Sequence, residues 1–217
     1  MREIEKVGVI GAGLMGHALA IVHALGGCNV TMQDLKDIQI TKGLQLIDSA
    51  LETLVDAGTV SETEKENAKS RITTTLDLNV AVEDADLVVE AVVENRDVKR
   101  EVFLHIDNAA RDEAIIASNT SNLDIFPLVP EGRRQFCLIA HWYTPPYIID
   151  LVDLAAGPST DLSILRKMEE FYLKLGKKPV LFEKFINGYV ANRLQAAMGL
   201  EINRLLDEGW ASPDAID

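Results

Sequence analysis

The run Gly11-Ala12-Gly13-Leu14-Met15-Gly16 lies between an apolar, β-branched segment and a helical pattern. Glycines in that setting permit a tight turn, close approach of a pyrophosphate to the backbone, and close packing of helix on strand. The helix N-terminus then offers its amides and the positive end of its dipole to the phosphates. The next β-branched run ends in Asp34, near the ~20-residue offset at which a carboxylate accepts hydrogen bonds from an adenosine ribose. A carboxylate there repels a 2′-phosphate, which selects NAD over NADP; a solvated strand end is the plainer reading of the same residue. Three later segments place polar groups where strands end or a long helix begins: Ser118-Asn119-Thr120-Ser121, His141-Trp142-Tyr143-Thr144-Pro145-Pro146 and Asn187-Gly188-Tyr189-Val190-Ala191-Asn192-Arg193. His141, with an ordinary pKa of about 6.5, can exchange a proton near neutrality. Beside a nicotinamide such a base suits oxidation of a secondary alcohol, taking the hydroxyl proton while hydride leaves the same carbon. Taken singly, His141 also reads as a structural residue at a strand end, Ser121 as a cap of the turn before Leu123, and Asn192 as a polar residue at a domain interface.

The elements that position these residues follow from periodicity. Short β-branched runs alternate with helical patterns, the form of repeated βαβ units and a doubly wound, mainly parallel α/β sheet. Strands are expected at Lys6 to Ile10, Asn29 to Gln33, Arg71 to Thr74, Asp86 to Val92, Ala114 to Ser118, Phe136 to His141, Ile148 to Leu154 and Lys178 to Leu181. Helices are expected at about Leu14 to Leu25, Arg96 to Ala109 and Ser159 to Leu175, the last closed by Gly176. Asp37 to Lys69 reads as two polar helices broken at Ala57-Gly58-Thr59, with a capping box from Ser61 to Glu64, forming a hairpin that stands off the sheet. Beyond Glu183 one long helix, Gly188 to Glu208, carries Val190, Leu194, Ala197, Met198, Leu205 and Leu206 roughly on one face. Ser212-Pro213-Asp214 starts another helix and the chain stops soon after. The expected organisation is a nucleotide-binding domain over residues 1–184 and a truncated all-α domain over 185–217.

With 47% hydrophobic residues in 217, the chain can bury a substantial core. A formal net charge of −13 and a pI near 4.7 argue against nucleic acid and against an anionic membrane surface, both of which call for clustered Lys and Arg. A small-molecule partner fits better. Cys28 and Cys137 sit in apolar stretches without metal-knuckle spacing, so they read as core thiols in a reducing compartment. The charged start of the chain resembles neither a signal peptide nor a membrane span, and the expected location is cytoplasmic.

The glycine motif and the three polar segments together resemble the 3-hydroxyacyl-CoA dehydrogenase family from end to end. The resemblance implies a Rossmann-type fold, NAD as cofactor, a 3-hydroxyacyl substrate, a place in fatty acid metabolism, and a homodimer formed through the helical domain. In that family a strand-end serine, a histidine, a carboxylate twelve positions later and a helix asparagine form the site; those roles fall on Ser121, His141, Asp153 and Asn192. Asp153 would fix the histidine tautomer and stabilise the imidazolium, and Ser121 and Asn192 would hydrogen-bond the reacting oxygen or the nicotinamide side. Val93-Glu94-Asn95 with Lys99 also matches and would lie near the nicotinamide ribose. The implied cofactor set is Gly11, Gly13, Leu14, Met15, Gly16, Asp34, Glu94, Lys99 and Asn119. His17, His23 and His105 match no family site and read as structural or surface residues.

Departures from the family pattern widen the substrate question. Asp153 stands where the family normally has glutamate, Thr144 where most members have asparagine, and Asn187 where most have proline. Pro145-Pro146-Tyr147 resembles the branch containing L-gulonate 3-dehydrogenase and lambda-crystallin, whose substrates need not be CoA esters. The stretch Gly43 to Glu64 holds five acidic residues and no Lys or Arg, with Lys42, Lys65 and Lys69 flanking it, so CoA phosphates find little attraction there. A dehydrogenase of the 3-hydroxyisobutyrate and 6-phosphogluconate type would carry lysine at Gly188, which argues against that rival. A non-catalytic NAD-binding relative is the remaining alternative, against which His141 and Asn192 weigh.

Overall fold

The computed structural model describes residues 3–217. In chain order its elements are β1 (Lys6–Ile10), α1 (Gly16–Leu25), β2 (Asn29–Gln33), α2 (Asp37–Asp56), α3 (Glu62–Ser70), β3 (Ile72–Thr75), α4 (Leu78–Val82), β4 (Leu87–Glu90), α5 (Arg96–Ala109), β5 (Ile115–Ser118), β6 (Cys137–Trp142), β7 (Leu151–Ala156), α6 (Leu162–Lys174), β8 (Lys178–Phe182), α7 (Ala191–Asp207) and α8 (Pro213–Ile216). The strands form one sheet in the order β3-β2-β1-β4-β5-β6-β7-β8. Every neighbouring pair is parallel except β6 and β7. The order reverses between β1 and β4, and ligands of such sheets bind in the crevice at the strand carboxyl ends beside that point.

Central strands of a sheet covered on both faces read as continuous apolar runs. β4 and β5 obey this, with every residue buried. Successive side chains point to opposite faces: Leu87, Val89, Ile115, Ala117, Leu138 and Ala140 join one core with α1, α2 and α6. Val88, Ile116 and Ile139 are buried outside that core, as are Ala81 and Val82 of α4 and Phe103 and Ile106 of α5. α4 reaches β1 only because Gly8 has no side chain, since a Cβ there would overlap the Ala81 carbonyl.

The helical pair is present where expected, and Ser61 with Glu64 makes the capping box in both directions. It does not stand off, however. Ile40, Ile47, Ala50, Leu51 and Leu54 of α2 enter the α1 core, and Gly43 comes so close that a Cβ would meet the Ala12 carbonyl oxygen at 3.0 Å. An apolar stripe in a mostly polar helix is enough to dock it. α4 was not expected; it is five residues long and depends on Asp77, whose side chain accepts from Asn79 N.

Several boundaries shift for local reasons. α1 starts at Gly16 and not Leu14, because the glycine turn uses the residues before it. α6 starts at Leu162 and not Ser159, because Asp161 caps it by accepting from Ser163 N at 2.8 Å. β7 begins at Leu151, since Ile148 and Ile149 turn back to donate to the Pro145 carbonyl. β6 extends one residue past His141, to Trp142. α7 starts at Ala191 because Gly188 and Tyr189 hold φ of +76° and +46°, values a right-handed helix excludes. Ser212 occupies the N-cap of α8 without a side-chain capping bond.

The chain divides into two compact units, the first ending at Phe185 and the second running from Ile186 to Asp217. In the second, Leu194, Met198, Leu200 and Trp210 are exposed, and Arg204 lies over the Trp210 ring at 5.6 Å. Cys28 and Cys137 are buried free thiols, and burial pushes the Cys28 thiol up to about 11.

Candidate active site

The turn after β1 shows what each glycine is for. Gly11 adopts φ +102°, and a Cβ there would stand 2.7 Å from the Ala91 carbonyl oxygen. A Cβ on Gly16 would overlap the Gly11 carbonyl, whereas Gly13 has nothing within 4 Å of where its Cβ would be. Gly11 and Gly16 therefore let the chain fold, and Gly13 leaves the opening through which a pyrophosphate can approach the backbone. No acidic residue stands in the first turn of α1, which leaves the positive end of its dipole uncompensated within the helix. His17 closes the turn from behind: its Nδ1 is 2.9 Å from the Gly13 carbonyl oxygen. Burial lowers its pKa against the opposing pull of that carbonyl.

Asp34 follows β2 and holds the same turn. Its Oδ2 accepts from Ala12 N at 3.0 Å and its Oδ1 from Lys36 N at 3.3 Å. A carboxylate offers about four acceptor sites, so two backbone donors leave capacity for a ribose diol. These residues fit an NAD adenosine and pyrophosphate; when bound, NAD supplies the hydride acceptor.

A cleft of about 430 Å³ opens at the carboxyl ends of β1 and β4, lined by Gly13, Leu14, Met15, Glu94, Asn119 and Ser121 among others. Six residues singled out from sequence thus meet in one space. A cleft of about 450 Å³ at the opposite, amino ends of β4 and β5 is lined by Asp86, Arg111, Glu113 and Lys167 and has none of these features.

Behind the cleft runs a buried chain of charges. Lys99 Nζ lies 2.6 Å from Glu90 Oε1 and 3.3 Å from Glu94 Oε2, with Lys99 and Glu90 side chains only 1% and 0% exposed. Lys99 therefore faces Glu90 and Glu94 from inside the fold and does not itself line the cleft. Ser118 donates its hydroxyl to Glu90 Oε2, and Val92 N donates to Oε1. Glu94 Oε1 collects the Thr120 hydroxyl at 2.6 Å and the backbone N–H groups of Ser121 and Asn122 at 3.2 and 3.1 Å. Desolvation raises the Glu94 pKa, but Thr120, Asn122 and Lys99 outweigh it and hold the carboxyl below its ordinary range. The wall carrying Ser121 is thus fixed by a carboxylate that stays ionised.

His141 lies on β6 directly across from Asp153 on β7, the antiparallel register making them Cα partners. Its Nδ1 is 3.2 Å from Asp153 Oδ2, and both residues are buried. The carboxylate engages Nδ1, which makes Nε2 the nitrogen for proton exchange. Two contacts tie this strand to the cleft. Asn119 Oδ1 accepts from Trp142 N at 3.0 Å, and Thr144 Oγ1 donates to Met15 Sδ at 3.1 Å. Asn192 belongs to the second unit, in the first turn of α7. Sequence reasoning missed Glu90 and Tyr143, whose hydroxyl donates to Asp153 Oδ2 at 2.6 Å. A charge ending an apolar strand nine residues before a lysine was the available sign for Glu90.

A dinucleotide cradle tied to a carboxylate-held histidine defines an NAD-dependent oxidoreductase that moves hydride and a proton together. Residues 6–185 match the family model described as 3-hydroxyacyl-CoA dehydrogenase, NAD binding domain, and the chain belongs to that family. It is 36% identical over 216 residues to a 3-hydroxybutyryl-CoA dehydrogenase of Mycobacterium tuberculosis, covering 99% of this chain and 75% of that protein. Lambda-crystallin of Oryctolagus cuniculus is 33% identical over 213 residues, covering 96% of this chain and 66% of that one. The crystal structure of M. tuberculosis FadB2 superposes with a TM-score of 0.93 at 35% identity, over 100% of this chain and 76% of that one.

Proposed function

We propose that this chain oxidises an L-3-hydroxyacyl-CoA to the 3-oxo compound, with hydride passing to NAD and the hydroxyl proton to His141 Nε2. Bound NAD would supply the hydride acceptor; the chain's own part is to take the hydroxyl proton on the imidazole as the electrons of the O–H bond form the carbonyl. Asp153 holds the imidazole and stabilises its charged form, Ser121 hydrogen-bonds the reacting oxygen or the nicotinamide side, a role the family resemblance also gives Asn192, and Glu94 with Lys99 fixes the wall near the ribose. The observation that carries this reading is the His141–Asp153 contact at 3.2 Å on a strand tethered to the cleft through Asn119 and Met15. The relatives named 3-hydroxybutyryl-CoA dehydrogenase support the acyl-CoA substrate. A place in fatty acid metabolism and a homodimer through the helical unit accompany that reading. A cytoplasmic setting is supported by the free buried thiols; no helix among the described residues is long and apolar enough to cross a membrane.

A free 3-hydroxy acid is the second reading, favoured by one observation. Of the three lysines that flank the acidic stretch, Lys65 and Lys69 are engaged by Glu52, Glu62 and Asp48 at 2.8 Å, which leaves exposed Lys42 to meet a CoA phosphate. Parallel assays with L-3-hydroxybutyryl-CoA and free L-3-hydroxy acids decide between the two. NADH from the thioester alone supports the first, NADH from the acids alone the second, and NADH from neither overturns both.

A further inference from the structure

Tyr143 takes no part in the chemistry above, yet it makes the shorter contact to the carboxylate. Its hydroxyl lies 2.6 Å from Asp153 Oδ2, the same oxygen that His141 Nδ1 approaches at 3.2 Å. Its ring stands edge-on to the imidazole, with centroids 4.7 Å apart and planes at 76°. Tyr143 follows β6 two residues after His141, so both side chains lean to one face, where Asp153 meets the first directly and the second diagonally.

We propose that Tyr143 is a positioning residue of the dyad: its hydroxyl pins the Asp153 carboxylate against His141 and shares its charge, setting how strongly that carboxylate stabilises the protonated imidazole. An O–H donor at this distance is in the range of charge-assisted bonds, whereas the imidazole contact is at the long end. The Asp153 side chain is 2% exposed, so water does not compete for the oxygen. Among the described strand neighbours of the pair, the nearest positions on β5 and β8 carry no charge. The β5 residues paired with β6 are Ile116, Ala117 and Ser118, and the β8 partner of Asp153 is Val180. Lys178 is two residues along β8 and exposed, where solvent screens it. The purpose of the dyad rests on the dehydrogenase reading; the coupling within it does not.

The test is an NMR titration of the imidazoles in the isotopically labelled chain, which has 4 histidines. Removing the hydroxyl in Tyr143→Phe returns charge to the carboxylate, so the His141 midpoint rises by about one pH unit, roughly tenfold in proton affinity. Adding Tyr143→Phe to Asp153→Asn leaves the midpoint where Asp153→Asn put it, while His17 and His105 stay unchanged throughout. An unmoved or lowered midpoint in Tyr143→Phe, or the same shift with and without the carboxylate, overturns the proposal. Should Tyr143→Phe not fold, 3-fluorotyrosine in place of tyrosine strengthens the donor and must lower the midpoint; a rise or no change overturns it equally. The titration needs no substrate. An inactive wild type with the shift present refutes the dehydrogenase reading alone, and an active one with the midpoint unmoved refutes this coupling alone.

Discussion

Lys99→Met removes the one cation between Glu90 and Glu94 while nearly keeping the volume of the side chain. Glu90 is then a carboxylate with 0% exposure, its remaining partners being the Ser118 hydroxyl and Val92 N. Breaking a buried pair from one side costs about 3–5 kcal/mol. In a chain of this size each kcal/mol moves the melting temperature by about 2–4 °C, so a fall of roughly 6–20 °C is expected. The sign with pH follows from the stranded acid. A buried carboxylate without its cation is costly only where it is ionised, so the deficit is small in acid and grows as pH rises. Replacing Glu90 as well, in Lys99→Met/Glu90→Gln, removes the buried charge and recovers most of the loss. Urea and thermal unfolding followed by circular dichroism at pH 5 and 8 measure this. A loss under about 1 kcal/mol at pH 8, or a double variant no more stable than the single, refutes the argument that these charges hold the cleft wall.

The glycines divide by function. Gly13→Ala is expected to leave the melting temperature within a few degrees and to weaken NAD binding at least tenfold by calorimetry, whereas Gly16→Ala, whose Cβ meets the Gly11 carbonyl, destabilises the fold itself. His23 is wholly buried, and desolvation, with a smaller push from Lys177 against the Leu19 carbonyl, holds its pKa at about 4. Its neutral form therefore contributes stability present above about pH 6.5 and lost as pH falls toward 4, roughly 3 kcal/mol over that window. Urea midpoints across pH 4.5 to 7.5 should show this slope in the wild type and a flatter one in His23→Phe. Asp153→Asn removes the carboxylate that selects the histidine tautomer, and turnover is expected to fall at least about a hundredfold with NAD affinity unchanged in binding titrations.

Much of the cleft was legible because its signals are local. The glycine run and the Ser61 to Glu64 capping box depend on residues a few positions apart, and the structure forms both; Asp34, some twenty positions after the run, closes the same turn through Ala12 N. What sequence hid is tertiary. Glu90 falls inside the expected strand from Asp86 to Val92 and was singled out by nothing; its burial depends on Lys99 reaching back from α5. Tyr143 was given no role from sequence, and its bond to Asp153 exists only because β6 and β7 pair in one register. The hairpin reads as polar and free, yet a stripe of five apolar residues suffices to dock α2 on α1. Helix starts at α6 and α7 moved because a capping carboxylate and two left-handed residues, features that act one residue at a time, override periodicity.

In the proposed reaction His141 takes the substrate proton while bound NAD would accept the hydride. NADH formation near neutral pH from L-3-hydroxybutyryl-CoA, and from free L-3-hydroxy acids in parallel, by wild type and His141→Ala tests it most directly, with NAD binding measured on both. The wild type is expected to form NADH, His141→Ala to turn over at least about a hundredfold more slowly, and both to bind NAD with equal affinity. Turnover retained by His141→Ala, or a wild type that binds NAD and oxidises neither substrate class, would contradict it.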